Sequence, residues 1–169
     1  DRANRFYFGG RFGRIYFSGL LTMQVLLANE YGFCFGVERA VDMVEEAVGE
    51  GAKVRALGPL IHNEQEMQRL PHEGVTTIKD PIEIGRNETA VIRAHGVTPE
   101  VQRELEEMAA KVVDATCPFV TRVQKLAARA AGEDRHVVII GSPEHPEMIG
   151  VKGYAPEHAF VIKDETEVA

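Results

Sequence analysis

Cys34 lies within Gly32-Phe33-Cys34-Phe35-Gly36, between an apolar run at 25–28 and an amphipathic stretch that opens at Val37. A thiol placed where a strand gives way to a helix meets unpaired N–H groups and the positive end of the helix dipole. Both favour the thiolate, the form that attacks electrophiles or binds metals. The flanking glycines allow a tight turn and the close approach of a bulky group. Cys117 repeats the arrangement, with a strand at 111–114, the turn Ala115-Thr116-Cys117-Pro118, and then a helix. Three histidines also follow strand-like runs: His62 after 53–57, His95 after 89–94, and His145, in His145-Pro146-Glu147, after 136–140.

Two thiols, three imidazoles and a carboxylate admit several chemistries. Zinc accepts such donors, but small zinc domains draw cysteines from closely spaced pairs, and these two are far apart. An iron-sulfur cluster accepts distant cysteines yet wants three or four. A redox dithiol requires the sulfurs to come within bonding distance. None of these accounts well for the histidines, which on glycine-rich loops at helix starts suit an anionic phosphate ligand. The plainest alternative is a pair of structural thiols with ordinary loop histidines. His72, His136 and His158 fall elsewhere and read as surface or strand-start residues.

The elements that would position these groups alternate. A strand is expected at 24–28, and Val37, Ala40, Val41, Val44, Ala47 and Val48 mark one helix face at i, i+3, i+4, i+7 spacing. Strand 53–57 precedes a short polar helix ending near Leu70, strand 75–78 stops at Asp80-Pro81, and strand 89–94 leads to a helix capped by Thr98 with Pro99 in its first turn. After Cys117, Phe119, Val120, Val123, Leu126, Ala127 and Ala130 line another helix. Strand 136–140 reads as too apolar to have an exposed face, strand 159–162 follows, and 164–168 resembles a first helical turn. Strands alternating with helices imply an α/β fold of parallel βαβ units. Functional residues of such sheets gather at the strands' carboxyl ends, which is where both cysteines and the three chosen histidines fall.

A net charge of -7 argues against nucleic acid as a partner, and no stretch is apolar and long enough for a membrane span. Two cysteines make no disulfide framework, so a cytoplasmic setting with reduced thiols is expected. Residues 1–22, with Arg2, Arg5, Arg11 and Arg14 against Asp1, hold no persistent periodicity and read as a non-native or upstream leader, with Met23 as the expected start. A basic targeting peptide is the competing reading.

Six segments, in order, carry a family resemblance: Met23-Gln24-Val25-Leu26-Leu27-Ala28-Asn29, Gly32 through Ala40, Ile61-His62-Asn63, Ala94-His95-Gly96-Val97, Asp114-Ala115-Thr116-Cys117-Pro118 and His145-Pro146-Glu147. The sequence resembles the 4-hydroxy-3-methylbut-2-enyl diphosphate reductases, the IspH/LytB family of the methylerythritol phosphate route to isoprenoids. The resemblance implies three similar α/β domains around a central cluster, with 23–117 as the first domain and 118–169 as part of the second. It implies that Cys34 and Cys117 are two of three cysteine ligands of a [4Fe-4S] cluster, the third lying outside this chain. It implies that His62, His95 and His145 surround the substrate, chiefly at its diphosphate, and that Glu147 supplies protons to the leaving hydroxyl as isopentenyl and dimethylallyl diphosphates form. The implied electron donor is a ferredoxin or flavodoxin. Lacking the third cysteine, residues 1–169 alone are expected to be inactive. A dithiol redox or zinc-binding module, or a non-functional partial gene product, are the other expectations. Ser142 and Glu144 depart from the family pattern, and Glu144 brings a negative charge to an expected anion site.

Overall fold

The computed structural model describes residue 28 and residues 31–167. The expected strand at 24–28, the leader and the Met23 start lie outside the described residues.

Six strands and five helices follow from Cys34 onward, alternating except where a 3₁₀ turn alone separates two strands, in a segment that forms one compact unit. They are α1 (Phe35–Gly49), β1 (Val54–Leu57), α2 (Glu64–His72), β2 (Val75–Ile78), β3 (Thr89–Ile92), α3 (Pro99–Met108), β4 (Lys111–Asp114), α4 (Pro118–Gly132), β5 (Val137–Ile140), α5 (Pro146–Gly153) and β6 (Ala159–Ile162), with 3₁₀ turns at Pro81–Glu83 and Glu165–Glu167. β1 to β4 form a parallel sheet in the order β2-β1-β3-β4, and β5 and β6 pair in parallel as a second sheet. In the first sheet the chain leaves β1 toward β2 on one side and returns to β3 on the other. The gap between the carboxyl ends of β1 and β3 is therefore the switch point where such folds bind ligands.

The larger sheet is covered on both faces because its strands alternate between two cores. Val54, Ala56, Val91 and Val113 pack with Ala40, Val41, Val44 and Ala47 of α1 and Leu70 of α2. Leu57, Ala90 and Ile92 pack with Ile78, Ile84, Val97 and Leu105 of α3. Burial of the valine, leucine and isoleucine side chains among these, each worth roughly 1.5–3 kcal/mol, holds the strand ends in place. Arg55 of β1 adds a two-pronged hydrogen bond to Glu88, at 2.9 and 2.8 Å, that ties β1 to the turn before β3.

The smaller sheet corrects one expectation. Only one face of β5 is covered, by Ala127 and Ala131 of α4 and Val151 of α5, which pack around Val137 and Ile139. Val138 is 60 % and Ile140 77 % exposed, and Phe160, which pairs with Val138, is 52 % exposed. An all-apolar strand can be buried on both faces only when both carry a layer. Among the described residues, the layer over Val138, Ile140 and Phe160 is missing.

Candidate anion-binding site at the strand ends

Three loops bring His62, His95 and His145 together. After β1, Gly58 takes φ +73° and its N–H donates to Ile78 O. Leu60 and Ile61 then plug into the core at 0 and 2 % exposure, leaving the next side chain, His62, in the open. Asn63 closes this loop by accepting the Glu66 N–H at 3.0 Å, which starts α2. Asn63→Ala is expected to cost about 0.5–1 kcal/mol in chemical denaturation, because it removes an N-cap. It should also broaden the His62 ring resonance, since the cap fixes the turn on which His62 stands.

His95 follows β3 in a turn closed by the Gly96 N–H on Arg93 O, with Gly96 at φ +72°. Buried Gln124 of α4 lies beneath this turn. A Cβ on Gly96 would sit 2.5 Å from Gln124 Nε2, so glycine is needed here for space as well as conformation. His145 caps α5, its Nδ1 accepting the Glu147 N–H at 3.2 Å. That bond assigns the tautomer: in the neutral ring Nε2 carries the proton and is left free to donate.

The ring centroids are 4.7 Å apart for His62 and His95, 5.5 Å for His95 and His145, and 6.3 Å for His62 and His145. One nitrogen from each lies within 4.8 Å of the others. Burial, and then the charges of His62, Arg93 and His145, push His95 down from its ordinary 6.5 to about 4. Its Nδ1 is buried without a hydrogen-bond partner. At neutral pH this ring is uncharged, with one donor and one acceptor nitrogen.

The cysteines occupy equivalent positions. Cys34 is the N-cap of α1 and Cys117 the N-cap of α4, and neither uses its side chain as a cap. Both are free thiols, Cys34 exposed and Cys117 half-buried. The two helix starts converge, because a Cβ on Gly36 would lie 2.5 Å from Cys117 Sγ. Cys117 N donates to Ala94 O at 2.9 Å, which joins the thiol loop to the residue before His95. Arg39 of α1 donates to Thr116 O at 3.1 Å. Glu147 stands half-buried in the first turn of α5. Glu144 does not face the cluster unopposed: its carboxylate accepts from Ser142 Oγ at 2.7 Å and lies 3.8 Å from Lys163 Nζ.

Two side chains beside this site were not singled out by sequence reasoning. Gln124, 3 % exposed with Nε2 unpartnered, is indistinguishable in sequence from a polar helix residue. Arg93 did carry a signal, being the one charge within the otherwise uncharged run from Thr89 to Ala94. Apart from the cluster, a groove of about 590 Å³ beside Cys117 is lined by Arg39, Arg122, Lys125 and Arg129 together with Asp114.

Fold and site define a parallel α/β protein with an imidazole crevice at its strand ends and thiols at two adjoining helix starts. The chain belongs to the LytB protein family, whose model matches residues 25–169. It is 38% identical over 148 residues to the 4-hydroxy-3-methylbut-2-enyl diphosphate reductase of Alkaliphilus oremlandii, covering 86% of this chain and 53% of that protein. The same-named protein of Campylobacter concisus is 43% identical over 147 residues, covering 86% and 52%. A solved structure of (E)-4-hydroxy-3-methyl-but-2-enyl diphosphate reductase, the terminal enzyme of the non-mevalonate pathway, superposes with a TM-score of 0.73 at 39% identity, covering 82% of this chain and 50% of that one. The Plasmodium falciparum E-1-hydroxy-2-methyl-but-2-enyl-4-diphosphate reductase superposes at 0.78 with 28% identity, covering 83% and 44%. The chain spans about half the length of the curated relatives it matches.

Proposed function

We propose that this chain forms the front part of a 4-hydroxy-3-methylbut-2-enyl diphosphate reductase, with 23–117 as its first α/β domain and 118–169 as the start of a second. The observation that carries this reading is the convergence of His62, His95 and His145 from three separate strand ends. Its support is the membership of the LytB family and the names of the relatives. On this reading the substrate's diphosphate lies among the three rings. His145 donates from Nε2, its Nδ1 being held by the Glu147 N–H, and His95 binds as a neutral ring. Binding energy gathered at the diphosphate holds the reacting end of the substrate in place. Glu147, on the same helical turn as the His145 cap, delivers protons to the departing hydroxyl.

The thiols fit part of a [4Fe-4S] site. They are soft donors at helix starts, uncommitted to other bonds, and the missing Cβ of Gly36 makes room for Cys117. Cys34 and Cys117 would supply two ligands, and the third would come from outside residues 1–169. Such a cluster would supply electrons and a Lewis-acidic iron for the leaving oxygen. The electron donor would be a ferredoxin or flavodoxin, and the cation-lined groove beside Cys117 gives such an acidic partner a complementary face. Among the described residues no helix is long and apolar enough to cross a membrane; the cytoplasmic setting we propose rests on the reduced thiols expected of such a chain.

Three imidazoles this close would also suit zinc. Arg93 favours the anion reading, since a fixed positive charge beside His95 opposes a dication and attracts an anion. Anaerobic reconstitution tests the proposal. A chain extended to the length of its relatives should hold iron and labile sulfide through desalting and reduce the substrate, while residues 1–169 alone should do neither. Zinc without sulfide in the extended chain would overturn the reading. Turnover by residues 1–169 would overturn the assignment of the third ligand to another part of the protein.

A further inference from the structure

We propose that Arg93 is the fixed counter-charge of the diphosphate site, an anion contact held beneath the histidine cluster. This inference rests on the diphosphate reading above and names a residue for it. Arg93 follows β3 directly and is half-buried, with its Nε buried and unpartnered. Among the described residues no carboxylate pairs with it. The one influence on its proton affinity is burial, which acts against its charge. A guanidinium stays protonated in such a place, so the fold retains an uncompensated cation at a cost. Arg55, Arg69 and Arg129 are each matched by a glutamate, and Arg86 and Arg122, for which no ion pair is seen among the described residues, are exposed to water, so it is the combination of burial and a missing partner that sets Arg93 apart.

Its position explains what the cost supports. A Cβ on Gly58 would collide with Arg93 Nη1, so the guanidinium lies against the start of the loop that presents His62. It is also close enough to His95 for its charge to oppose protonation of that ring. Arg93 therefore stands between two of the three loops that form the cluster. An anion with several oxygens is the chemistry that satisfies this group, because the planar guanidinium offers parallel N–H donors and a charge that adds to neutral imidazoles.

The test uses inorganic diphosphate and the 169-residue chain. In the wild type, addition of diphosphate should shift the ring resonances of His62, His95 and His145. It should also slow modification of Arg93 by an arginine-selective dicarbonyl about tenfold, read by peptide mass mapping, while exposed Arg129 reacts at an unchanged rate. Arg93→Gln should weaken diphosphate binding by roughly tenfold or more, the usual weight of a charge-assisted contact, with the three rings still shifting at saturation. Arg93→Lys should fall between the two. If Arg93→Gln binds as tightly as wild type, or if diphosphate leaves Arg93 modification unchanged while the rings shift, the counter-charge role fails and the diphosphate site stands. If no ring shifts in the wild type, both fail together. The protection measurement needs no variant, so a failure of Arg93→Gln to fold leaves the decision to it.

Discussion

Gly36→Ala is expected to destabilise the chain by about 1–3 kcal/mol, the usual cost of forcing a methyl into a filled space. In an unhindered helix position the same change would stabilise by up to about 1 kcal/mol, because alanine has the higher helix propensity. The sign therefore reports on packing. The new Cβ would lie 2.5 Å from Cys117 Sγ and 3.1 Å from Cys117 Cβ, and the backbone of Cys117 cannot simply retreat, since its N–H is bonded to Ala94 O. Gly49, at the other end of α1, supplies the control: a Cβ there meets nothing within 4 Å, so Gly49→Ala should be neutral or slightly stabilising. Urea denaturation compares the two. Alkylation of the thiols should show Cys117 reacting faster in Gly36→Ala, with Cys34 changed less. In a reconstituted chain of the relatives' length, cluster content should fall although no ligand has been removed. A Gly36→Ala chain as stable as Gly49→Ala would mean that the helix starts do not converge as described.

That convergence shows what was legible in the sequence and what was not. The strand-to-helix junctions of His62, His95, Cys117 and His145, and the helix start behind Cys34, could be read from apolar periodicity, proline and glycine, and β2, β4 and β6 begin and end where expected. The pairing of Gly36 with Cys117 could not, because it depends on where α1 and α4 fall relative to the sheet. The strand order β2-β1-β3-β4 was equally hidden, although it is what puts His62 and His95 side by side. The mistaken reading of β5 has a related cause. Val137 to Ile140 is uniformly apolar, and composition reports the capacity to be buried on both faces without reporting whether a second layer is present. Arg93 carried its signal in plain view as a charge at the end of an apolar strand. Its significance came only from the absence of a partner, which is a property of three dimensions.

Bound diphosphate is expected to raise the titration of His95 by at least about one pH unit, a tenfold preference of the ligand for the protonated ring. In the ligand-free chain His95 is held at about 4, first by burial and then by the like charges of His62, Arg93 and His145. An anion among the rings reverses the electrostatic part while leaving the burial, so the shift should be upward but should stop short of a freely exposed histidine with an anionic neighbour. The sign carries over to stability. With its folded-state value below the ordinary 6.5, His95 contributes stability that is present above pH 6.5 and is lost as pH falls toward 4, when the unfolded chain takes up the proton and the folded chain resists it. The ring is only half-buried, so solvent screening reduces the loss to about 1 kcal/mol. Diphosphate should shrink that acid sensitivity, and His95→Asn should remove its own share with or without the ligand. Ring titration followed by NMR, paired with melting curves at pH 5 and pH 7, measures both effects. A His95 titration unmoved by diphosphate would place the anion away from the ring and leave the three-histidine cluster without the role proposed for it.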